Sequence, residues 1–268
     1  ISMAFQSCYL GEKQTQSYFD NLIHNNEVDY SRYIFFYINN LIEQNKFQMA
    51  KNTADQIDLL NSSLLIMQTK NWIDNKKLEK FTEIFSCKSE SNILSEFFYL
   101  IASLYSSQND FEKSNFYINI SNFLNPKFKF NLSLLAENYY KNNDYKKTEN
   151  ILNNFNENDD IYYWYKIKKK ASIISNELGI KESLNFINSK FKKIKNPSLK
   201  ILFDMANITK GFEEYETSIV YYNKVLSKIS LNSESRAEIL YRRGSCYERL
   251  GQFEKSDKDL LNSLEINP

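Results

Sequence analysis

The sequence predicts an all-α fold, a right-handed α-solenoid of about seven helix-turn-helix pairs, from three observations. Only 5 Gly and 3 Pro interrupt 268 residues, so few positions would break a helix. A pattern of apolar and small residues returns at intervals close to 34 residues. The three prolines are spaced by 71 and again by 71 residues, about two such intervals. Helices are therefore expected along the whole chain.

The composition narrows the class of protein. The chain is 42% apolar and 15% aromatic, which is ample for a packed core, and 25% charged, which is ordinary for a globular protein. A net charge of +1 gives no overall attraction to nucleic acid or to a membrane surface. No apolar run reaches the length of about 18 residues that a transmembrane helix needs, so none is predicted in this chain.

The phase of the repeat follows from the apolar residue after each predicted turn, at position 17 of the unit. These residues recur at intervals of 31, 33, 34, 35, 35 and 38, and they are Phe47, Leu78, Phe111, Tyr145, Ile180, Tyr215 and Phe253. Small residues are expected where paired helices approach closely. At position 8 they are Ala102, Ala136, Ala171, Ala206 and Gly244, and at position 20 they are Ala50, Ser114, Thr148, Ser183, Ser218 and Ser256.

Glycine and proline mark the predicted helix ends. A glycine precedes the second helix of three pairs, at Gly11, Gly179 and Gly251. Because proline cannot continue a helix, a second helix is expected to stop at Pro126, Pro197 and Pro268. Gly11 also indicates a partial pair at the front, whose second helix is QTQSYFDNLI and whose first helix is expected to begin before Ile1.

The most specific pattern lies in residues 237–268, AEILYRRGSCYERLGQFEKSDKDLLNSLEINP. Counting from Ala237, the apolar, small, aromatic and turn positions are filled by Leu240, Gly244, Tyr247, Gly251, Phe253, Ser256, Leu260, Ser263 and Pro268. This stretch resembles the tetratricopeptide repeat family, a helix-turn-helix unit of about 34 residues. Arg243 departs from the family pattern, which prefers leucine there, and Ser256 and Ser263 replace the usual alanines. One pair cannot bury its own apolar face, so the resemblance implies neighbouring pairs.

The resemblance implies that residues 1–268 form a single solenoid. Its expected units are a partial repeat at 1–26 and repeats at about 31–61, 62–94, 95–128, 129–160, 164–197, 199–232 and 237–268. No polar capping helix is seen at either end, so we expect a segment of a longer protein. A finer similarity to long alphaproteobacterial tetratricopeptide repeat proteins implies a bacterial envelope or periplasmic location. Three unpaired cysteines favour the alternative, the cytoplasm.

The sequence carries no residue constellation typical of an enzyme. His24 is the only histidine, and at the end of a predicted helix it more simply interacts with free carbonyls than activates a nucleophile. Neither a glycine-rich phosphate-binding motif nor carboxylates at metal-ligand spacing are present. Cys8, Cys87 and Cys246 are spaced by 79 and 159 residues, unlike any zinc or redox motif, and are interpreted as small core residues. The prediction is no catalysis, no cofactor and no metal.

In the tetratricopeptide repeat family the first helix of each pair lines a concave groove. Carrying its inner positions over gives the candidate peptide-groove residues Tyr140, Lys141, Tyr165, Lys168, Lys200, Phe203, Asn207 and Tyr241, and toward the front Arg32, Phe35 and Asn39. Such a mixed aromatic and polar lining suits an extended peptide or a helix. Lys168, Lys200 and Asn207 are expected to converge on one carboxylate of an acidic partner. The alternative for the lysine run Lys168, Lys169 and Lys170 is a solvated helix face.

The predicted function is therefore a non-catalytic scaffold or adaptor that binds a protein or peptide in this groove. The alternative is a recruiting or regulatory arm of a larger enzyme, or of a secretion or assembly component, whose catalytic part lies outside this segment. Nucleic-acid binding is disfavoured, because the positive and negative charges are balanced.

Overall fold

The computed structural model describes residues 2–23, 32–58, 60, 62–230 and 233–267, and every regular element in these ranges is helical. The all-α class is confirmed. The described helices are α1 (Ser2–Leu10), α2 (Thr15–Ile23), α3 (Tyr33–Glu43), α4 (Phe47–Asp55), α5 (Leu64–Asp74), α6 (Glu79–Ile84), α7 (Glu90–Ser107), α8 (Phe111–Leu124), α9 (Leu132–Lys141), α10 (Tyr145–Leu152), α11 (Ile161–Leu178), α12 (Ile180–Phe191), α13 (Leu199–Gly211), α14 (Tyr215–Leu226), α15 (Glu234–Arg249) and α16 (Phe253–Ile266).

The second helices begin where the repeat phase changes from turn to helix. The first residues of α4, α8, α10, α12, α14 and α16 are Phe47, Phe111, Tyr145, Ile180, Tyr215 and Phe253. Leu78 instead lies immediately before α6. The sixteen described α-helices make eight first-and-second-helix pairs when they are counted in chain order from α1 and α2. The repeat boundaries and the hand of a solenoid stay predictions.

The turn inside most pairs contains one residue in the left-handed region. Two residues before position 17, φ lies between 56° and 69° at Asn45, Lys76, Asn109, Asn143, Glu213 and Gly251. Glycine adopts this conformation freely and asparagine tolerates it, whereas lysine and glutamate are sterically strained there. After the turn, Asp110 and Asp144 cap α8 and α10 by accepting hydrogen bonds from backbone N–H groups one turn on.

Small residues meet where paired helices cross, and the serines there also form hydrogen bonds that the sequence did not predict. The serine hydroxyl of the second helix donates to the carbonyl of the small residue twelve positions earlier. The pairs are Ser114 with Ala102 (2.7 Å), Ser183 with Ala171 (2.7 Å), Ser218 with Ala206 (2.7 Å) and Ser256 with Gly244 (3.0 Å). Thr148 differs, since its hydroxyl donates to the carbonyl of Asp144, the N-cap of its own helix α10 (2.9 Å).

One proline expectation is wrong. α8 ends at Leu124, just before Pro126, as expected. α12, however, ends at Phe191, well before Pro197, which instead precedes Ser198, the N-cap of α13. Proline keeps the residue before it extended, so a helix cannot run into it. Its own φ near −65° is compatible with the start of a helix, so a proline can precede a helix as well as follow one. His24 and Pro268 lie outside the described residues.

The chain packs as two compact units: unit 1 comprises Ile1–Ile57 and Ser62–Lys166, and unit 2 comprises Asp58–Asn61 and Ile167–Pro268. Unit 1 has an aromatic core. Phe36 and Phe85 lie 4.7 Å apart between ring centroids, and Phe35 and Phe81 5.7 Å apart. Edge-to-face and offset ring pairs of this kind add to the stabilisation from burial alone.

The interpretation of all three cysteines as unpaired is wrong, because Cys8 and Cys87 form a disulfide in unit 1. Their Cα atoms are 5.9 Å apart, although 79 residues separate them in sequence. The bond ties α1 to the segment that leads into α7. All three cysteines are buried, as expected, and Cys246 of α15 is free.

Unit 2 builds its core from α13 to α16 and from a short segment between α4 and α5. Leu60 of this segment is buried together with Leu202, Tyr222 and Ile239. Its backbone carbonyl accepts a hydrogen bond from Lys200 Nζ at 2.8 Å. Ser235 Oγ donates to Asp58 Oδ1 at 2.9 Å. A loop far away in sequence thus belongs to the fold of unit 2.

Candidate functional site

The candidate site lies on the first helices of unit 2. α11, α13 and α15 are the first members of consecutive pairs, and polar side chains on them contact one another. We call these residues the first-helix surface: Lys168, Lys200, Asp204, Asn207, Glu238, Tyr241 and Arg242.

Lys168 and Lys200 converge on one carboxylate, which belongs to the chain itself. Lys168 Nζ lies 2.8 Å from Asp204 Oδ2, and Lys200 Nζ lies 3.5 Å from Asp204 Oδ1. The Asp204 side chain is only 10% exposed, so this cluster is partly desolvated. The sequence prediction had both lysines contacting a carboxylate of a partner, and Asp204 occupies that place. Any acidic ligand would have to compete with Asp204.

Asn207 belongs to a separate group on the same surface. Its Oδ1 accepts hydrogen bonds from the Tyr222 hydroxyl at 2.7 Å and from Arg242 Nη1 at 3.4 Å. Arg242 also donates twice to Glu238 Oε1, at 2.8 and 3.0 Å. Burial raises the pKa of Tyr222, so its hydroxyl remains a donor at neutral pH. These bonds connect α13 to α15.

The two aromatic candidates of unit 2 differ in accessibility. Phe203 is 3% exposed, and its ring centroid lies 5.5 Å from Lys200 Nζ and 5.6 Å from Arg242 Cζ. The Phe203 ring packs in the core, and both cations lie within cation–π distance of it. Tyr241 is 60% exposed, so its ring can contact a ligand.

The last pair, α15 and α16, shows how its sequence pattern produces close packing. A Cβ placed on Gly244 would lie 3.2 Å from the side chain of Leu260, so a larger residue would not fit without movement. Arg243, the departure from the expected leucine, donates to both oxygens of Asp259 at 2.6 and 2.7 Å. Burial alone would lower the pKa of Arg243, but the hydrogen bond and charge of Asp259 raise it. A partly buried ion pair thus takes the place of an apolar contact.

Residues 237–268, which form this pair, match the tetratricopeptide repeat family. The chain contains a tetratricopeptide repeat. No curated protein matches the chain significantly. Of the preceding pairs, α7–α8 and α13–α14 share both its turn and its serine crossing, and α9–α10 and α11–α12 share one of the two, which is consistent with a helical-repeat architecture.

The remaining candidates carried over from the tetratricopeptide repeat pattern lie in unit 1. Tyr140 is partly exposed on α9, and Lys141 is exposed at the end of that helix. Tyr165 is 6% exposed, and its hydroxyl donates to Glu137 Oε1 at 2.8 Å. Burial and the neighbouring Glu137 raise the pKa of Tyr165. The Tyr165 ring therefore contributes to packing.

The front candidates are core residues rather than surface residues. Phe35 and Asn39 are buried in unit 1, and Asn39 Nδ2 donates to the carbonyls of Phe81 and Phe85 at 2.9 and 3.1 Å. Arg32 pairs with buried Glu96 at 2.7 Å. In this part of the chain, first-helix residues at the inner positions pack against neighbouring helices.

Unit 1 also carries an apolar groove that the sequence reading missed. It lies between α1 and α7, encloses about 720 Å³ and is lined by Phe5, Tyr9, Ile93, Leu94, Phe97 and Leu100. Tyr9 donates a hydrogen bond across it to Glu90 Oε1 at 2.6 Å. The available signal was the spacing of Ile93, Phe97 and Leu100 at i, i+4 and i+7 on one face of α7.

None of the described helices has the length and apolar character of a membrane-spanning segment. Within the described ranges, no group of three or more His, Cys, Asp or Glu side chains could hold a metal ion.

Proposed function

We propose that the chain is a non-catalytic interaction module that binds a peptide or helix of another protein on the first-helix surface. Tetratricopeptide repeats generally mediate contacts between proteins, which supports this class of function. The observation that carries the proposal is exposed Tyr241 on α15, the same helix as Arg242, which donates to Asn207 of the neighbouring α13.

The first-helix surface would contact its ligand through an aromatic ring, through hydrogen-bonding side chains and, more weakly, through charge. Tyr241 offers an aromatic face with few rotatable bonds, so ordering it on binding costs little entropy. Arg242 and Glu238 remain partly exposed and offer one donor and one acceptor to a peptide backbone. Because Asp204 offsets much of the charge of Lys168 and Lys200, net charge contributes less here than shape and hydrogen bonding.

The direct test compares Tyr241→Ala with a matched truncation of an exposed ring. Peptides are selected from a random displayed library on the wild-type chain, and their affinities are then measured by fluorescence anisotropy. Loss of one aromatic contact should weaken binding about tenfold, from a contribution near 1.4 kcal/mol. The control is Phe123→Ala on α8, whose ring is 84% exposed and lies in unit 1. Selected peptides that bind both variants like wild type would contradict the proposal.

A second test addresses the lysines. Asp204→Asn leaves Lys168 and Lys200 without their carboxylate, so an acidic peptide that uses this surface should bind more tightly. The gain should disappear at about 1 M salt, where the screening length is about 3 Å. An affinity that does not change in Asp204→Asn would place acidic ligands on another part of the molecule.

We also propose an oxidising compartment, in agreement with the envelope location that the family resemblance implies. The Cys8–Cys87 disulfide supports this, because such bonds persist in secreted and periplasmic proteins and are rare in reducing cytosol. Alkylation of the protein in acid-quenched native cells tests it. In the denatured protein without added reductant, only one thiol, that of Cys246, is expected to react. Reaction of three thiols under the same conditions would exclude the proposal.

A further inference from the structure

A cavity of about 440 Å³ lies between the second helices α12 and α14 of unit 2. The residues after α12, including Ile194 and Pro197, close one side of it. The rings of Phe191 and Tyr221 meet edge to face at 5.4 Å between centroids. We call it the α12–α14 cavity. Its size lies in the usual range for small binding sites, about 300–1,000 Å³.

The charged side chains that line the α12–α14 cavity are all lysines. Lys192, Lys224 and Lys228 are exposed, and no aspartate or glutamate lines the cavity with them. Within the described part of the chain, none of the three lysines forms an ion pair. Lys224 Nζ lies 5.5 Å from the ring centroid of Tyr221. In contrast to Lys168 and Lys200, these cations have no carboxylate partner among the described residues.

Each lysine has a partial local explanation. α12 ends at Phe191 and α14 at Leu226, and positive charge near a helix C-terminus is favourable. This helix-end effect explains each lysine alone, but it does not explain why lysines from two helices line the same concave surface. Like charges repel one another there. An anion in the cavity would relieve that repulsion, and the amides of Asn188 and Asn196 could donate hydrogen bonds to it.

We propose that the α12–α14 cavity binds an acidic peptide segment with an aromatic or aliphatic side chain between its carboxylates. The apolar side chain would contact Phe191, Tyr221 and Leu202, and the carboxylates would pair with the lysines. A peptide fits better than nucleic acid, because the lysines surround a compact apolar cavity rather than following an extended backbone track. The site uses second helices and is separate from the first-helix surface.

The test uses two variants with the same loss of charge. Lys192→Gln/Lys224→Gln/Lys228→Gln removes the cavity lysines, and Lys51→Gln/Lys146→Gln/Lys181→Gln removes three exposed lysines that do not line it. The probe is a fluorescein-labelled peptide with two glutamates on each side of one phenylalanine. A second peptide has serine in place of phenylalanine. Binding is followed by anisotropy at low and high salt.

We expect the cavity variant to bind the phenylalanine peptide at least about tenfold more weakly, since each exposed ion pair contributes up to about a fivefold effect. The control variant should stay within about twofold of wild type. Three results would overturn the proposal: no binding to wild type, an equal loss in both variants, or tighter binding of a single-stranded oligonucleotide at the same lysines. Tyr241→Ala should leave this peptide's affinity unchanged, which separates the site from the proposed first-helix surface.

Discussion

The serine at the crossing of a helical pair has two roles, and only one could be predicted from the sequence. Its small volume was predicted from the repeat phase, because bulky side chains would separate the helices. Its hydrogen bond to the carbonyl twelve residues earlier depends on the geometry of the turn between them. Periodicity carries no information about such a contact.

Ser183→Ala tests the hydrogen bond alone, because alanine is small enough for the crossing. We expect the free energy of unfolding to fall by about 1 kcal/mol, the usual net worth of one hydrogen bond. Urea unfolding followed by circular dichroism measures it. The control is Ser189→Ala on the same helix, where the serine is exposed and bonds only to its own helix. Equal effects of both changes would mean that the crossing bond contributes no more than a hydrogen bond within one exposed helix face.

From the sequence, the turn position was marked only where glycine occupies it, as at Gly251, and its left-handed conformation was not predicted. Asparagine fills the same place at Asn45, Asn109 and Asn143, and its frequency in this chain hid the signal. Lys76 and Glu213 have no residue-type signal at all, since neither favours positive φ.

Glu213→Gly should therefore stabilise unit 2. Removing the Cβ clash of a left-handed residue is worth about 1–2 kcal/mol, and the added freedom of glycine in the unfolded chain offsets up to about 1 kcal/mol. A net gain of about 0.5–1 kcal/mol should appear as a higher urea midpoint. Glu214→Gly is the matched control, since φ there is −84°, and it should destabilise. A higher urea midpoint in both variants would mean that the loss of a glutamate charge, not the change in backbone strain, stabilises the protein.

Among the elements, α3, α7 and the short turn before α9 are joined in unit 1 by a buried polar network. Arg32 donates to both Glu96 oxygens at 2.7 and 2.8 Å and to Asn131 Oδ1 at 2.7 Å. Its guanidinium also lies 3.7 Å from the centroid of Tyr99. Burial raises the pKa of Glu96 even though Arg32 opposes this, so the carboxylate depends on its partner. The sequence could not predict the pair, because 64 residues separate its members.

Arg32→Met should destabilise unit 1 by about 3–5 kcal/mol, because it leaves Glu96 buried without a counter-charge. The double change Arg32→Met/Glu96→Leu should recover much of that loss, since it removes both charges. Chemical unfolding of the three proteins measures the coupling. Additive losses in the double variant would show that the two residues act independently.

The sequence predicted only part of the candidate site. The repeat phase placed Lys168 and Lys200 on neighbouring first helices, and they do contact one carboxylate. Asp204 was overlooked, although it follows Lys200 by four residues on the same helix, a spacing that favours an ion pair. The burial of Phe203 and Tyr165 depends on how close the neighbouring helices lie, which the phase does not give.

For the whole molecule, the sequence predicted helices throughout but neither the two compact units nor the disulfide. The all-α class follows from the scarcity of glycine and proline, which acts locally. The Cys8–Cys87 bond and the insertion of Leu60 into the core of unit 2 are long-range contacts. Short motifs and a period near 34 residues cannot reveal them.

Each unit has its own core, so we expect two unfolding transitions, and reduction of the disulfide should shift only one. Both cysteines of the bond lie in unit 1, as do the only two tryptophans, Trp72 and Trp164, which are buried. Tryptophan fluorescence should thus report unit 1, while circular dichroism reports both units. Closing a loop of 79 residues stabilises by about 4.5 kcal/mol in the chain-entropy model.

Dithiothreitol should accordingly lower the urea midpoint of the fluorescence transition and leave the other transition in place. Cys8→Ser/Cys87→Ser should reproduce the shift without reductant, and Cys246→Ser, which removes the free thiol of unit 2, should not. Coincident transitions by both probes that move together on reduction would instead mean that neighbouring helical pairs couple the two cores into one cooperative unit, as nearest-neighbour packing in repeat proteins allows.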